Sequence, residues 1–292
     1  MIFAMTTEIT SETVPAPRPK PLVTIKPRRS WLPSHPKEVW EFRELMVRFA
    51  SRDITLRYRQ TALGVVWVFL VPLLAAGVLT FVFGGVANLP APAGIPYFLF
   101  TLAGLVTWTA FAQTVGRSSG SMVANGALVG KVYFPRLLLP LSTVLSTLVD
   151  VAVSLALLIV LLVMSGVHPG FGVILFPVWL VGVLAIALGI GLASGALMVR
   201  YRDVGFILPT AIQFLLFASP VAYTVASVPE NAQKFYNLNP LTGLLEGMRW
   251  SLLGMTPPSA GLAAYALGMS IAILVGGTLI FSRFESQFAD VI

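Results

Sequence analysis

The sequence contains no cysteine and few charged residues. The lack of cysteine excludes disulfides, thiol chemistry and metal sites built on cysteine. Charged residues make up 11% of the 292 residues, whereas soluble domains carry about 25%. Because 57% of the residues are hydrophobic, a water-soluble fold of this size could not bury its apolar surface. The lipid bilayer is therefore the expected solvent of the chain.

Histidine is also scarce, and the basic residues are unevenly placed. His35 and His168 lie far apart and outside the long apolar runs, which indicates two loop residues and predicts no metal site. The formal net charge is +7, but the basic residues cluster beside apolar runs, where they fix topology and meet anionic headgroups. We therefore expect no nucleic acid partner.

The first 63 residues divide into a tail and an amphipathic segment. Residues 1–37 are polar and hold seven prolines between Pro15 and Pro36, which predicts a disordered cytoplasmic tail. Residues 38–63 carry one apolar stripe at helical spacing and then a basic run. A helix of this kind directly before a span is expected to lie in the membrane interface; a soluble surface helix is the alternative. The stripe consists of Val39, Phe42, Leu45, Met46 and Phe49.

The rest of the chain, 64–292, reads as an all-α membrane domain with six spans. A helix needs about 20 apolar residues to cross the hydrocarbon layer. Between the fifth and sixth runs, the segment 226–261 predicts one or two short helices that dip into the outer interface. The six apolar runs are 64–86, 97–116, 137–164, 171–199, 206–225 and 262–282.

The distribution of lysine and arginine predicts the orientation of the spans. With the N-terminus inside, 17 of the 19 basic residues fall on inner segments, and only Lys234 and Arg249 fall outside. The inverted topology would reverse this bias. The positive-inside rule therefore predicts a multi-pass protein of the bacterial inner membrane with both termini in the cytoplasm.

Few residues in the spans carry chemistry. Asp150 is the only acidic residue within a predicted span, so it should face protein or water. It either lines a polar path or pairs with a base, or it bonds to hydroxyl neighbours such as Ser146. The segment Gly126–Val132 resembles a phosphate loop, but its spacing is one residue short and valine replaces the hydroxyl residue. We therefore expect no ATPase activity in this chain.

Aromatic residues concentrate near the predicted outer half. They form either an interfacial aromatic belt or part of a path in which rings stack on sugars. The candidates for such a glycan path are Tyr97, Trp108, Phe111, Tyr223, Tyr236 and Trp250.

Several stretches together resemble one family, the ABC-2-type permease subunits of polysaccharide exporters for O-antigen, capsule and teichoic acid. The resemblance covers about 40–292, and its strength lies in the order of the stretches along the chain. These stretches are Leu56–Gly64 with Trp67 and Pro72, Asn125–Pro135, Arg200–Asp203, Ser219–Tyr223, Asn239-Pro240 and Phe288–Ile292.

The resemblance implies a homodimer of six-span subunits bound to two copies of a separate cytoplasmic ATPase, which binds ATP and Mg. It implies that the inner loop 117–136 carries a coupling helix and that Arg200–Asp203 is a second ATPase-facing loop. It also implies that 226–261 forms gate helices at the outer mouth. The basic end of the interface helix, Arg52, Arg57, Tyr58 and Arg59, would lie where substrate enters. The implied coupling residues are Asn125, Leu128, Val129, Lys131, Phe134, Pro135, Arg200, Arg202 and Asp203.

The expected function is the permease subunit of an ATP-driven exporter of lipid-linked polysaccharide. Its partners would be the ATPase, the lipid-linked glycan and membrane lipids. One alternative is an ABC-2 permease for a small hydrophobic drug or lipid. Another is a membrane-embedded glycolipid transferase, which would need clustered carboxylates.

Overall fold

The computed structural model describes residues 36–59, 66–92 and 94–285. Most of the predicted tail, the start of the first apolar run and the stretch Phe288–Ile292 lie outside these ranges. Within them the chain is helical and contains no strand, as the composition predicts. The helices are α1 Pro36–Glu41, α2 Arg43–Tyr58, α3 Val66–Leu79, α4 Tyr97–Ala124, α5 Gly126–Val129, α6 Leu138–Met164, α7 Phe176–Arg200, α8 Val204–Phe217, α9 Glu230–Leu238, α10 Pro240–Leu253 and α11 Ala260–Glu285.

Among the described residues, five helical segments are long and apolar enough to cross a membrane. They correspond to the first four apolar runs and the sixth. The first extends α3 through a π-helical turn, Thr80–Val86, and the fourth includes a 3₁₀ turn, Phe171–Leu175, before α7. The five segments are Phe69–Val86, Tyr97–Ala124, Leu138–Met164, Phe171–Arg200 and Ala260–Glu285.

The fifth run is shorter than the sequence predicts. Helix α8 has 14 residues and ends at Phe217, not at 225. At about 1.5 Å per residue it is about 21 Å long, which is less than a hydrocarbon layer of about 30 Å. The early end has a local cause, because Pro220 disfavours helical dihedrals at Ser219 and cannot donate a backbone hydrogen bond.

Helix α4 is longer than the second run. The sequence predicts that the run ends at 116 and that an inner loop follows, but the helix continues through the serine- and glycine-rich stretch to Ala124. The serine hydroxyls form hydrogen bonds within the helix. Ser118 donates to the carbonyl of Thr114 at 2.6 Å, and Ser121 donates to that of Ser118 at 2.7 Å. Hydroxyls that bond back to their own helix need no hydrogen-bond partner outside it.

Helix α4 is the centre of the bundle and packs against α6, α7, α10 and α3. In the most apolar part of α4, 78% of the residues are buried, whereas in the first span, Phe69–Val86, 6% are buried. Two glycines in α7, four residues apart, permit a close approach to α4. A Cβ added to Gly191 would lie 2.9 Å from the Cβ of Ser118, and one added to Gly195 would lie 3.0 Å from the carbonyl of Ser119.

The segment between α8 and α11 forms two helices, α9 and α10. Helix α9 has no buried residue, but α10 is buried against α4, α7 and α11. The Asn239 side chain accepts the Leu241 N–H at 3.0 Å, and Pro240 occupies the first turn. Gly254 ends α10 with φ of 67°. These are the standard start and stop signals of a helix.

Candidate functional site

The predicted interface helix corresponds to two helices, α1 and α2, and α2 packs against α6. Phe49 and Ala50 are buried, and the other residues of the predicted stripe pack partly buried against the same cluster. The ring of Phe49 meets the ring of Phe134 edge to face, with centroids 5.7 Å apart. The apolar stripe is therefore real, and it faces the protein at the inner loop.

A polar contact joins the same two elements. Arg52 donates to the side-chain oxygen of Asn125 at 2.7 Å and pairs with Asp53 at 2.9 Å. Asn125 lies between α4 and α5 and donates to the Ser121 carbonyl at 2.8 Å. The interface helix and the inner loop are thus linked by one apolar and one polar contact.

The predicted coupling residues of the inner loop divide by burial. Val129, Phe134 and Pro135 are buried, and Leu128 is half-buried against the inner cluster. These four residues hold the loop in place. Lys131 is exposed, and so are its neighbours Val132 and Tyr133, with 52% and 80% of their surfaces accessible.

The sequence did not single out Val132 and Tyr133. The sequence signal for them is that two apolar side chains directly follow a lysine in a predicted inner loop, which indicates an exposed apolar surface. We call Lys131, Val132 and Tyr133 the coupling ridge.

The second inner loop lies beside the first. Arg200, Arg202 and Asp203 are exposed, and the Arg200 guanidinium lies 5.4 Å from the Tyr201 ring. A cleft of about 500 Å³ opens between the two loops. Its lining comes from Val123, Gly126 and Ala127 on one side and from Met198, Val199, Arg202 and Gly205 on the other.

Asp150 pairs with two arginines from different elements. Its Oδ2 atom lies 2.5 Å from a nitrogen of Arg57 and 2.6 Å from a nitrogen of Arg117. Arg117 also donates to the Thr147 hydroxyl at 3.1 Å. Of the alternatives that the sequence left open, pairing with a base is the one that the structure shows. The sequence singled out Arg57 but missed Arg117, which follows the predicted end of the second run.

The other residues at the basic end of the interface helix are less engaged. Arg59 follows the last turn of α2, is exposed, and its N–H donates to the Thr55 carbonyl at 3.0 Å. Tyr58 is the last residue of α2, and its side chain lies outside the described part of the structure.

Three of the six glycan-path candidates meet at the end of α4 where Tyr97 lies. Tyr97 donates to the Ala222 carbonyl at 2.6 Å, and Tyr223 donates to that of Phe217 at 2.6 Å. The hydroxyls of Tyr223 and Tyr236 are 3.0 Å apart. We call Tyr97, Tyr223 and Tyr236 the tyrosine cluster.

The other three candidates lie elsewhere. Trp108 and Phe111 are in the core, 7% and 2% exposed, with ring centroids 5.3 Å apart. Trp250 covers Gly172, where an added Cβ would lie 2.8 Å from the indole ring. Within one chain these three residues are packing residues.

Sequence reasoning treated Arg249 only as an outer charge. It lies in α10 and is 3% exposed. Its guanidinium lies 3.9 Å from the centroid of the Phe100 ring and donates to the carbonyls of Val221 and Tyr223. Burial lowers the pKa of Arg249 to about 9, which still leaves it charged at neutral pH. Arg249 therefore fixes the turn that carries Tyr223.

Comparisons with known proteins identify the family of the chain. The family model described as ABC-2 type transporter matches residues 45–253, from the interface helix to the end of α10. The chain is 29% identical over 256 residues to the O-antigen export system permease protein RfbA of Myxococcus xanthus, covering 87% of this chain and 97% of that protein. It is 26% identical over 256 residues to a protein of the same name from Klebsiella pneumoniae, covering 85% and 95%.

The name of a third relative refers to a different polymer, polysialic acid. The chain is 27% identical over 245 residues to the polysialic acid transport protein KpsM of Escherichia coli, covering 82% of this chain and 93% of that one. The matched region of the family model takes in both inner loops and the residues of the tyrosine cluster. The chain is a multi-pass membrane protein that belongs to the ABC-2 type transporter family.

Proposed function

We propose that this chain is the permease subunit of an ATP-driven exporter that moves lipid-linked polysaccharide across the bacterial inner membrane. The polymer is of the O-antigen, capsule or teichoic-acid type. Two copies of the chain form the transmembrane unit, and two copies of a separate cytoplasmic ATPase bind ATP and Mg and supply the energy. Both termini lie in the cytoplasm.

The observation that carries the proposal is the meeting of the two inner loops in one cleft. The named relatives, which cover more than 80% of this chain, are permeases for O-antigen export and a polysialic acid transport protein. Their names support a polysaccharide cargo. A surface made from two loops suits a partner that must move both spans together.

The coupling ridge is where the ATPase docks. Tyr133 and Val132 expose apolar surface beside Lys131, and an exposed apolar patch rimmed by charge is typical of a protein interface. ATPase closure pushes on the ridge and the cleft. Because Phe134 packs on Phe49 and Asn125 bonds to Arg52, the interface helix moves with the loop.

The exposed faces of α3 and α8 support the homodimer. In α8, Phe206 and Phe214 expose 80% and 71% of their surfaces, and no residue of this helix is buried in one chain. The glycan would pass between the copies, along the tyrosine cluster.

A substitution on the coupling ridge tests this function. Tyr133→Asp places an unpaired charge at the centre of the docking surface, so at least about tenfold less ATPase should co-purify, since 1.4 kcal/mol already corresponds to that factor. The matched control is Phe235→Asp on α9, a site that is 75% exposed against 80% for Tyr133. The control should keep the ATPase. Leu128→Asp should also lose the ATPase, but it disturbs a half-buried residue.

Equal co-purification of the ATPase with both aspartate variants would contradict the docking surface. Deletion of the gene should remove the surface glycan. Loss of tolerance to a small hydrophobic compound, with surface glycan intact, would instead favour a drug or lipid permease. Turnover of a glycolipid by the purified chain without any ATPase would favour a membrane-embedded transferase.

A further inference from the structure

The last part of the first span departs from α-helical geometry. Residues Thr80–Val86 continue α3 as a π-helical turn, which we call the π turn. The Ala87 N–H donates to the carbonyl of Val82 at 2.9 Å, five residues earlier instead of four. Turns of this kind are rare and occur frequently at functional sites. The adjacent Gly84 and Gly85 favour the departure, because glycine is a weak former of α-helix.

Two residues of the π turn pack on the tyrosine cluster. The ring of Phe83 lies against the ring of Tyr223, with centroids 5.7 Å apart and an angle of 42° between the planes. Gly84 lies so close to Tyr97 that a Cβ added to it would be 3.2 Å from the tyrosine ring. Both tyrosine hydroxyls donate to carbonyls elsewhere in the fold. The register of the π turn therefore decides which of its residues meet these two rings.

The rest of the π turn has little packing within one chain. None of its residues is fully buried, and Phe81 and Val86 expose 68% and 67% of their surfaces. The first span is also the least buried of the five, with 6% of the residues buried in its most apolar part. A change of register in the π turn would therefore leave the core of the bundle intact.

Conversion of the π turn to α-helix would change its contacts with the tyrosines. An α-helix turns by about 100° per residue, and each ring of a π-helix encloses one residue more. Rewinding as α-helix would therefore rotate the residues beyond the π turn by about 100° relative to α3. Phe83 lies in the middle of the turn and would take up about half of this rotation. Its ring would then leave Tyr223.

We propose that the π turn is a register switch that positions the tyrosine cluster during export. In the π register, Phe83 and Gly84 hold Tyr223 and Tyr97 in the closed cluster. In the α register, Phe83 withdraws, and Tyr223 gains room to move away from Tyr236. Phe83 and Gly84 are positioning residues, and no covalent bond changes.

This inference rests on the proposed function, which also supplies the force. In the proposed function the interface helix moves with the inner loop when the ATPase closes. The first span follows the interface helix in the chain, so this motion is delivered to α3 and from there to the π turn.

Because the chain has no cysteine, cross-linking can test the switch. Phe83→Cys and Tyr223→Cys are combined, and the full exporter with its ATPase is treated in vesicles with a short, reducible methanethiosulfonate cross-linker. The yield of cross-link within one chain should fall several-fold when ATP and vanadate are present. Cross-linked exporter should lose most of its glycan export and regain it on reduction. Each single-cysteine variant should export equally before and after the same treatment.

Two changes at Gly85 separate the register from the packing. Deletion of Gly85 removes the extra residue, so the turn closes as α-helix, and the cysteine pair should cross-link several-fold less even without nucleotide. Gly85→Ala keeps the length of the turn, and its added Cβ would meet only the Phe81 side chain, at 3.7 Å. In this control the pair should cross-link as in the parent. The melting temperature of each variant is recorded to separate register from folding.

Equal cross-linking with and without ATP and vanadate would overturn the proposal, and so would undiminished export by the cross-linked exporter. Unchanged cross-linking after deletion of Gly85, at an unchanged melting temperature, would also overturn it, because the contact would not depend on the register. If the deletion variant does not fold, the comparison between nucleotide states still decides. If these results oppose the switch while the wild-type exporter moves glycan with ATP, this inference fails and the proposed function stands.

Discussion

Gly104 in α4 lies at the buried contact between α4, α10 and the turn after α8, where it leaves room for both neighbours. A Cβ added at Gly104 would overlap the carbonyl oxygen of Val221 and would lie 2.6 Å from Nη2 of Arg249 and 3.1 Å from the Val221 carbonyl carbon. The obstacle is mainly backbone, which cannot rotate away as a side chain can. Gly104→Ala should therefore push the turn after α8 and the Arg249 side chain away from α4.

Gly116→Ala is the matched control, because it lies in the same helix and its added Cβ would meet no atom within 4 Å. In a helix interior, alanine is favoured over glycine by about 0.5–1 kcal/mol at both sites. This gain cancels between the two variants, so their difference isolates the overlap. Overpacking costs about 1–3 kcal/mol, and a lost hydrogen bond to a charged group costs about 1.5–3 kcal/mol. The expected difference in stability is therefore at least about 2 kcal/mol.

The assay is the melting temperature of each variant in the same detergent, followed by size-exclusion chromatography. At about 2–4 °C per kcal/mol, Gly104→Ala should melt at least about 4–8 °C below Gly116→Ala. Gly116→Ala should melt at or slightly above the wild-type temperature. If Gly104→Ala is as stable as Gly116→Ala, the turn yields easily, and the close packing of Val221 and Arg249 on α4 does not stabilise the outer end.

Two further substitutions test the inner and outer contacts. Phe49→Ala removes a buried ring that packs on Phe134 and should cost about 3–5 kcal/mol of stability. The control, Trp40→Ala, changes a residue that is 69% exposed and should alter the melting temperature little. Equal effects of the two variants would show that the interface helix does not dock through Phe49. Arg249→Gln should lower stability by about 2–5 kcal/mol, because it removes hydrogen-bond donors to two carbonyls and the cation over the Phe100 ring. An unchanged melting temperature would refute the role of Arg249 in fixing the turn.

Much of the fold follows from local sequence patterns. Five of the six apolar runs correspond to long helices, and the apolar stripe before the first run forms the interface helix. Start and stop signals such as Asn239-Pro240 and Gly254 mark α10 where the structure has it. These features are predictable because hydropathy and capping depend on residues that are close together in the chain.

Hydropathy alone did not predict two features of the fold. The apolar run 206–225 continues past the end of α8, because Pro220 stops the helix and the residues after it form a turn that Arg249 contacts from α10. The segment 226–261 forms the two short helices that the sequence predicts, but hydropathy did not indicate that α10 is buried against α4, α7 and α11. Apolar composition is the same in lipid and in a protein core, so hydropathy does not distinguish these two surroundings.

The candidate site shows the same division. Composition and the distribution of charge predicted a helical membrane protein, and the order of several short motifs predicted its family, which the comparisons confirm. The pairing of Asp150 with Arg57, 93 residues away, and with Arg117 became visible only in the fold. So did the division of the inner loop into buried packing residues and the exposed coupling ridge. Hydropathy and topology are sums over neighbouring residues, whereas ion pairs and exposed ridges depend on which helices meet, and tertiary packing alone decides that.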